Sequence, residues 1–130
     1  MLLDDIAQYL TGMAVGVPVQ KGYFQEIPNS AIALRETGGF ASQHVNGVGP
    51  GQAILDEPTL QIATRAADYV TAMTLARQVY ALLDGLRDLE LNGLLYHFVR
   101  AMQPPFFLMR DDNHRFLCAF NIHVSRRTVT

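Results

Sequence analysis

Phe116-Leu117-Cys118-Ala119-Phe120-Asn121-Ile122-His123-Val124-Ser125 alternates residue by residue, and that alternation sets the fold. Phe116, Cys118, Phe120, Ile122 and Val124 share one side of an extended chain, and Leu117, Ala119, Asn121, His123 and Ser125 share the other. This is the period-two pattern of a half-buried strand. Just before it, Asp111-Asp112-Asn113-His114 forms a polar turn that closes a hairpin onto Phe106-Phe107-Leu108-Met109-Arg110. Leu94, Tyr96 and Phe98 oppose Leu95, His97 and Val99 in a third strand that ends at Gln103, ahead of Pro104-Pro105. The stretch from Gly93 to Thr130 therefore reads as a three-strand antiparallel meander with no catalytic residue set at its strand ends. Such a chain is built to assemble rather than to catalyse.

Working back toward the N-terminus, Leu2, Leu3, Ile6, Leu10 and Met13 recur at helical spacing, with Asp4 and Asp5 in a first turn where acids complement the macrodipole. Gly12, Gly16 and Pro18 end that helix. Short strands are expected over Gly22–Ile27, closed by Pro28-Asn29, over Ala31–Thr37 and over Leu60–Arg65. Asp68 caps a second helix running to Leu83 or Leu86. Its core stripe is Tyr69, Met73, Ala76, Tyr80 and Leu83, broadened by Ala72, Val79 and Leu86. Gly85 is its end signal. Between strands, Gly38 to Pro58 holds five of the ten glycines plus Pro50 and Pro58, and reads as a long flexible assembly loop. The expected architecture is α+β: a mostly antiparallel sheet of four to six strands with two helices packed on one face. It forms a single domain over residues 1–130, with the glycine-rich loop at 38–58.

Composition narrows the function classes. Apolar residues make up 49% of the 130 and charged residues only 17%, against roughly 25% in soluble domains, which leaves surface for burial in an oligomer. A net charge of −2 excludes nucleic-acid binding by bulk electrostatics. Nine arginines accompany the single Lys21, and arginine is the cation favoured at interfaces. The single Cys118, on the apolar side of its strand, excludes an internal disulfide and a multi-cysteine zinc site. The first residues lack a basic region and no apolar run approaches a membrane span, so a cytoplasmic protein with no membrane contact is expected.

Gly47, Gly49 and Gly51 lack the Gly-Lys-Ser/Thr of a phosphate loop and lead toward Pro58 and a strand rather than a helix N-terminus. His44, His97, His114 and His123 show no ligand spacing, though His97 and His123 are placed as cross-strand neighbours on one sheet face. Asp111-Asp112-Asn113 lacks the glycine and glutamate of a calcium loop, and Ser30, Ser42 and Ser125 lack a nucleophile-elbow context. No cofactor, metal or catalytic residue is assigned. An assembly interface is assigned instead to Gly38, Gly39, His44, Gly47, Gly49 and Gly51 in the loop, and to Arg110, Arg115, Arg126 and Arg127.

Three ordered stretches resemble one family. Ile32-Ala33-Leu34-Arg35-Glu36-Thr37-Gly38-Gly39 is the first, and Leu60-Gln61-Ile62-Ala63-Thr64-Arg65-Ala66-Ala67-Asp68-Tyr69 the second. Gln103-Pro104-Pro105-Phe106-Phe107-Leu108, with Asp111-Asp112, Arg115 and the strand ending in Arg126, is the third. Together they are similar to the minor capsid or tail-terminator proteins of long-tailed bacteriophages. The resemblance implies a non-enzymatic virion protein, assembled in the host cytoplasm, that forms a hexameric ring at the head–tail joint. Its implied partners are further copies of itself, the tail-tube protein and a head-completion or connector protein, with DNA passing through unbound. Geometry permits this: a chain of this length has a diameter of roughly 36 Å, so six in contact leave a hole of similar width. Six copies at −2 each carry −12, which discourages DNA from adhering. The alternatives are a head-completion or tail-tube protein of the same virion or, from a different class, a small α+β enzyme or ligand-binding module using His97, His123 and the glycine loop.

Overall fold

The computed structural model describes residues 2–13, 15–43 and 55–127, with the side chains of 40–43 and 55 left out. In chain order the elements are α1 (Leu2–Gly12), β1 (Val19–Lys21), β2 (Ala31–Gln43), β3 (Leu55–Ala66), α2 (Tyr69–Leu83), β4 (Leu86–Leu91), β5 (Leu94–Ala101), β6 (Phe106–Arg110) and β7 (Phe116–Arg127). Among the described residues seven strands, rather than the four to six expected, join one sheet in the order β1-β2-β3-β7-β5-β4, with β6 beside β7 off that path. Among the described strands only the β1–β2 pair is parallel.

The alternation in β7 has the predicted consequence. Phe120, Ile122 and Val124 are wholly buried, and Phe120 lies opposite Ile62, which lies opposite Leu34. Residues directly opposite share a sheet face, so Ile32, Leu34, Leu60, Ile62, Phe120 and Ile122 form one apolar surface. Leu2, Ile6 and Leu10 of α1 and Leu75, Val79 and Leu83 of α2 bury themselves in the same cluster. Tyr80 meets Phe120 edge-to-face at 5.6 Å between centroids, while Met73 packs with Phe116 around Ala72, Ala76 and Cys118. Asp68 caps α2, its carboxylate accepting from the Thr71 N–H at 2.8 Å. Tyr69 lies outside the stripe, 44% exposed, and Leu75 takes a core position instead. Among the described residues, no helix is long and apolar enough to cross a membrane.

Several expectations are revised by the sheet. Gly93 to Thr130 is not a meander: β5 and β6 do not pair but lie end to end along β7, with Ala101 opposite Ile122 and Phe106 opposite Ala119. Twelve residues give β7 room for two partners on one side, and Pro104-Pro105 separates them. The 22–27 segment is irregular, and the short strand lies earlier, at Val19–Lys21. The expected loop at 38–58 is strand at both ends, since β2 continues to Gln43 and β3 begins at Leu55. Residues 44–54 fall outside the described residues. Gly39 permits this pairing, because a Cβ there would sit 2.6 Å from the Glu57 carbonyl oxygen and 2.7 Å from Pro58 Cα.

α1 is held by more than apolar contact. Asp5 is turned into the core, 1% exposed, and accepts from the Tyr96 hydroxyl and from Asn92 Nδ2, each at 2.5 Å. Burial, then the Asp5 hydrogen bond, pushes the Tyr96 phenol well above its usual value. Asp4 faces outward and pairs with Lys21 at 2.5 Å. Phe120→Ala should destabilise the protein by about 3–5 kcal/mol, read from thermal or denaturant unfolding. An unchanged melting temperature would show that this face of β7 is not the core.

Candidate interaction surface

Backbone carbonyls in an irregular loop need donors, and here two arginines supply them. Arg65, in β3 and 2% exposed, donates from Nη2 to the Pro28 carbonyl at 2.5 Å and from Nε to Asn29 at 3.1 Å. Its guanidinium lies 4.6 Å from the centroid of the Phe24 ring. Arg115, in the β6–β7 turn, donates from Nη1 to the Glu26 carbonyl and from Nε to Asp111 at 2.7 Å. Burial, then the nearby Arg115 charge, lowers the Arg65 pKa from its ordinary value, and Asp111 partly offsets this. Burial also pushes the Asp111 carboxyl up, but the Arg115 N–H, the Arg115 guanidinium and the Asn113 N–H outweigh it and hold it below 3.8.

The clamped loop presents Tyr23, 74% exposed, and Ile27, 76% exposed. Beside it lies a groove of about 310 Å³ floored by Ala33, Ala63 and Leu117 and walled by Tyr23, Leu108 and Met109. The groove also meets the Arg35–Gln61 pair, hydrogen-bonded at 2.8 Å. Around the β6 edge the apolar surface continues onto the other face, where Tyr69, Phe107 and Phe116 gather with centroids 6.0–6.4 Å apart. With Phe107, Leu108 and Met109 exposed at 45%, 39% and 49%, three consecutive apolar residues of β6 face solvent. Exposed apolar residues gathered in this way make it the candidate contact surface.

The residues assigned from sequence are scattered. Gly38 and Gly39 lie in β2, both exposed. His44, Gly47, Gly49 and Gly51 lie outside the described residues. Arg110 ends β6, its guanidinium 4.9 Å from the Phe116 ring centroid. Arg115 is 7% exposed and committed to the clamp, so its charge is paired within the chain's own fold. Arg126 is partly buried, with Nη2 3.5 Å from Asp56, and Arg127 is exposed at the end of β7. His97 does not face His123: the register sets Arg100 opposite His123, and His97 falls in the irregularity between Tyr96 and Phe98.

Arg65, Tyr23, Ile27, Leu108 and Met109 were missed. For Arg65 a signal existed, because an arginine between Ala63 and Ala66 in a core strand must be buried with acceptors. Leu108 and Met109 could not be separated from core residues by composition. Among the described residues, no three His, Cys, Asp or Glu side chains gather as metal ligands.

A family model described as bacteriophage tail terminator protein matches residues 6–128. Among solved structures, a chain from the virion of a native gene transfer agent (GTA) particle superposes with a TM-score of 0.68 at 18% identity. The match covers 98% of this chain and 95% of that one. A second solved chain, carrying no functional description, superposes with a TM-score of 0.59 at 12% identity, over 99% of this chain and 92% of its own. At these identities the two structures share the fold. No curated protein matches the sequence.

Arg65→Met leaves two loop carbonyls without donors and should cost about 3 kcal/mol. Amide exchange should quicken across 22–30 while the β4–β5 hairpin stays protected, and uniform quickening would show that the clamp is not local. Asp111 has a lowered pKa in the fold, so its contribution is complete above the unfolded value and lost as pH falls through the native one. The melting-temperature difference between wild type and Asp111→Asn should therefore hold steady from about pH 8 to 5 and shrink below about pH 4. A constant difference down to acid pH would contradict the assignment.

Proposed function

The chain belongs to the bacteriophage tail terminator protein family, and from that premise we propose that it forms the ring that ends the tail tube and receives the head. Membership itself makes it a structural tail protein of the virion. The observation that carries the fuller reading is the family match over residues 6–128, nearly the whole chain. The ring is six copies of this chain. One of its faces meets the tail-tube protein and the other a head-completion or connector protein, and DNA passes through the hole without specific binding. Subunits fold in the host cytoplasm and join the tail once the tube has reached its length.

Two physical features support this reading. Around β6 and the clamped loop, Tyr23, Ile27, Phe107, Leu108 and Met109 are exposed together, which fits a surface that an assembly covers. Among the described residues, the groove's lining is mostly apolar, with Arg35 and Gln61 paired to each other, which suits contact with a protein surface.

Electron microscopy of tails, with this protein labelled, should place it as a ring at the head-proximal end of the tube. Light scattering of the released ring should give about 86 kDa, six copies of 14.4 kDa. A label along the whole tube would instead identify a tube protein, and a label absent from the tail end would end the proposal.

A further inference from the structure

Among the described residues, two of this sheet's open edges lie at opposite ends of the run β2-β3-β7-β6. Strand β1 covers β2 only at Ile32, Ala33 and Leu34, and the last bond on that side is Gly22 N–H to the Leu34 carbonyl at 2.7 Å. From Arg35 to Gly39 the outer edge of β2 has no strand partner among the described residues, and all five residues are exposed. At the other end of the run β2-β3-β7-β6, strand β6 pairs β7 on one side only. Its outer edge likewise has no strand partner among the described residues. Open backbone donors and acceptors beside three exposed apolar side chains are a template for another strand.

The two edges match in charge and face. Glu36 lies opposite Leu60, which lies opposite Ile122, while Arg110 lies opposite Phe116. Ile122 and Phe116 are an even number of residues apart on β7, so Glu36 and Arg110 project from the same sheet face. Among the described residues Glu36 has no cationic partner, and Arg110 has the Phe116 ring and a 3.5 Å approach to His114 but no carboxylate. Each edge runs five residues, Arg35 to Gly39 and Phe106 to Arg110.

We infer that a second copy of this chain extends the sheet here, the outer edge of β2 in one subunit pairing with the outer edge of β6 in the next, with Glu36 set against Arg110. The inference rests on the ring reading and names its seam. Because the two edges differ, each subunit gives one and receives one, the head-to-tail arrangement that closes a ring. A seam of β6 against β6 would consume one edge per subunit and stop at two copies. Backbone pairing supplies the affinity, and burial of Phe107, Leu108 and Met109 adds to it.

The test is disulfide trapping in purified particles. Glu36→Cys and Arg110→Cys are introduced together in the full chain, with the buried Cys118 left in place. Oxidation should give a ladder of reducible oligomers on denaturing gels. Neither single variant should cross-link alone, and a mixture of the two singles should stop at dimers. Cross-linking by Arg110→Cys alone would establish a β6–β6 seam and overturn the inference. Rings visible by microscopy but never trapped by the double variant would overturn it while leaving the ring intact. Absence of any ring would overturn both. Where the cysteine variant yields no particles, charge exchange decides: Glu36→Arg should lower infectious titre at least tenfold, and adding Arg110→Glu should restore it. Failure of the exchange to restore titre would sink the seam.

Discussion

Strand β7 has two flanks to satisfy along twelve residues, a length of about 40 Å, and the rest of the sheet is arranged to satisfy them. Strand β3 covers one flank from Leu55 to Ala66. The other flank is too long for either neighbour available to it. β5 takes the half from Ile122 to Arg127 and β6 the half from Phe116 to Ala119. The chain between them must therefore advance along β7 instead of turning back, and Pro104-Pro105, with no N–H to offer a ladder, suits that step. The open edge of β6 follows from this division, because no described strand returns to lie beside it.

Apolar burial fills the core but is non-directional, so it does not by itself fix where a helix or loop sits on the sheet. Polar groups do that here. Asp5 aligns α1 against β5 through Tyr96 and against the β4–β5 turn through Asn92. Arg65 and Arg115 fix the 22–30 loop from two different strands' ends. Each of these groups would be costly to bury unpaired, so sliding α1 or the loop out of register is opposed by more than lost contact area.

The parts of the fold with clean periodicity were legible in the sequence. β7, β6, α1 and α2 appear where alternation or helical spacing placed them, and Tyr80, Met73 and Leu83 meet the predicted face of β7. β4 was hidden because Leu86 and Leu89 are three apart, a spacing that reads as the tail of the preceding helix. Asp88, at φ 52, takes the left-handed conformation between them, and Leu86, Leu89 and Leu91 all pack against the core. The 22–27 segment has strand-like composition, yet its neighbours' carbonyls are claimed by arginine side chains from distant strands. Such long-range capture leaves no local pattern. Asp5 was legible in principle: it falls three residues after Leu2, on the apolar stripe, where an acid must find donors. The residues assigned to a candidate interface were the least legible, since an arginine on a surface ring, such as Arg110, and one directed inward, such as Arg115, look alike until the turn between them is built.

The sole sulfhydryl of the chain, Cys118, lies beneath α2 against Ala72 and Ala76, wholly buried, and burial raises its pKa. It stays a protonated thiol, which is a poor nucleophile toward peroxide or a second thiol. A virion leaves a reducing cell for oxygenated surroundings and waits there for a host. The one thiol of this chain is buried away from that change of redox compartment, so a particle's age leaves no mark on its thiol chemistry, whereas exposed Met102 and Met109 stay open to sulfoxidation.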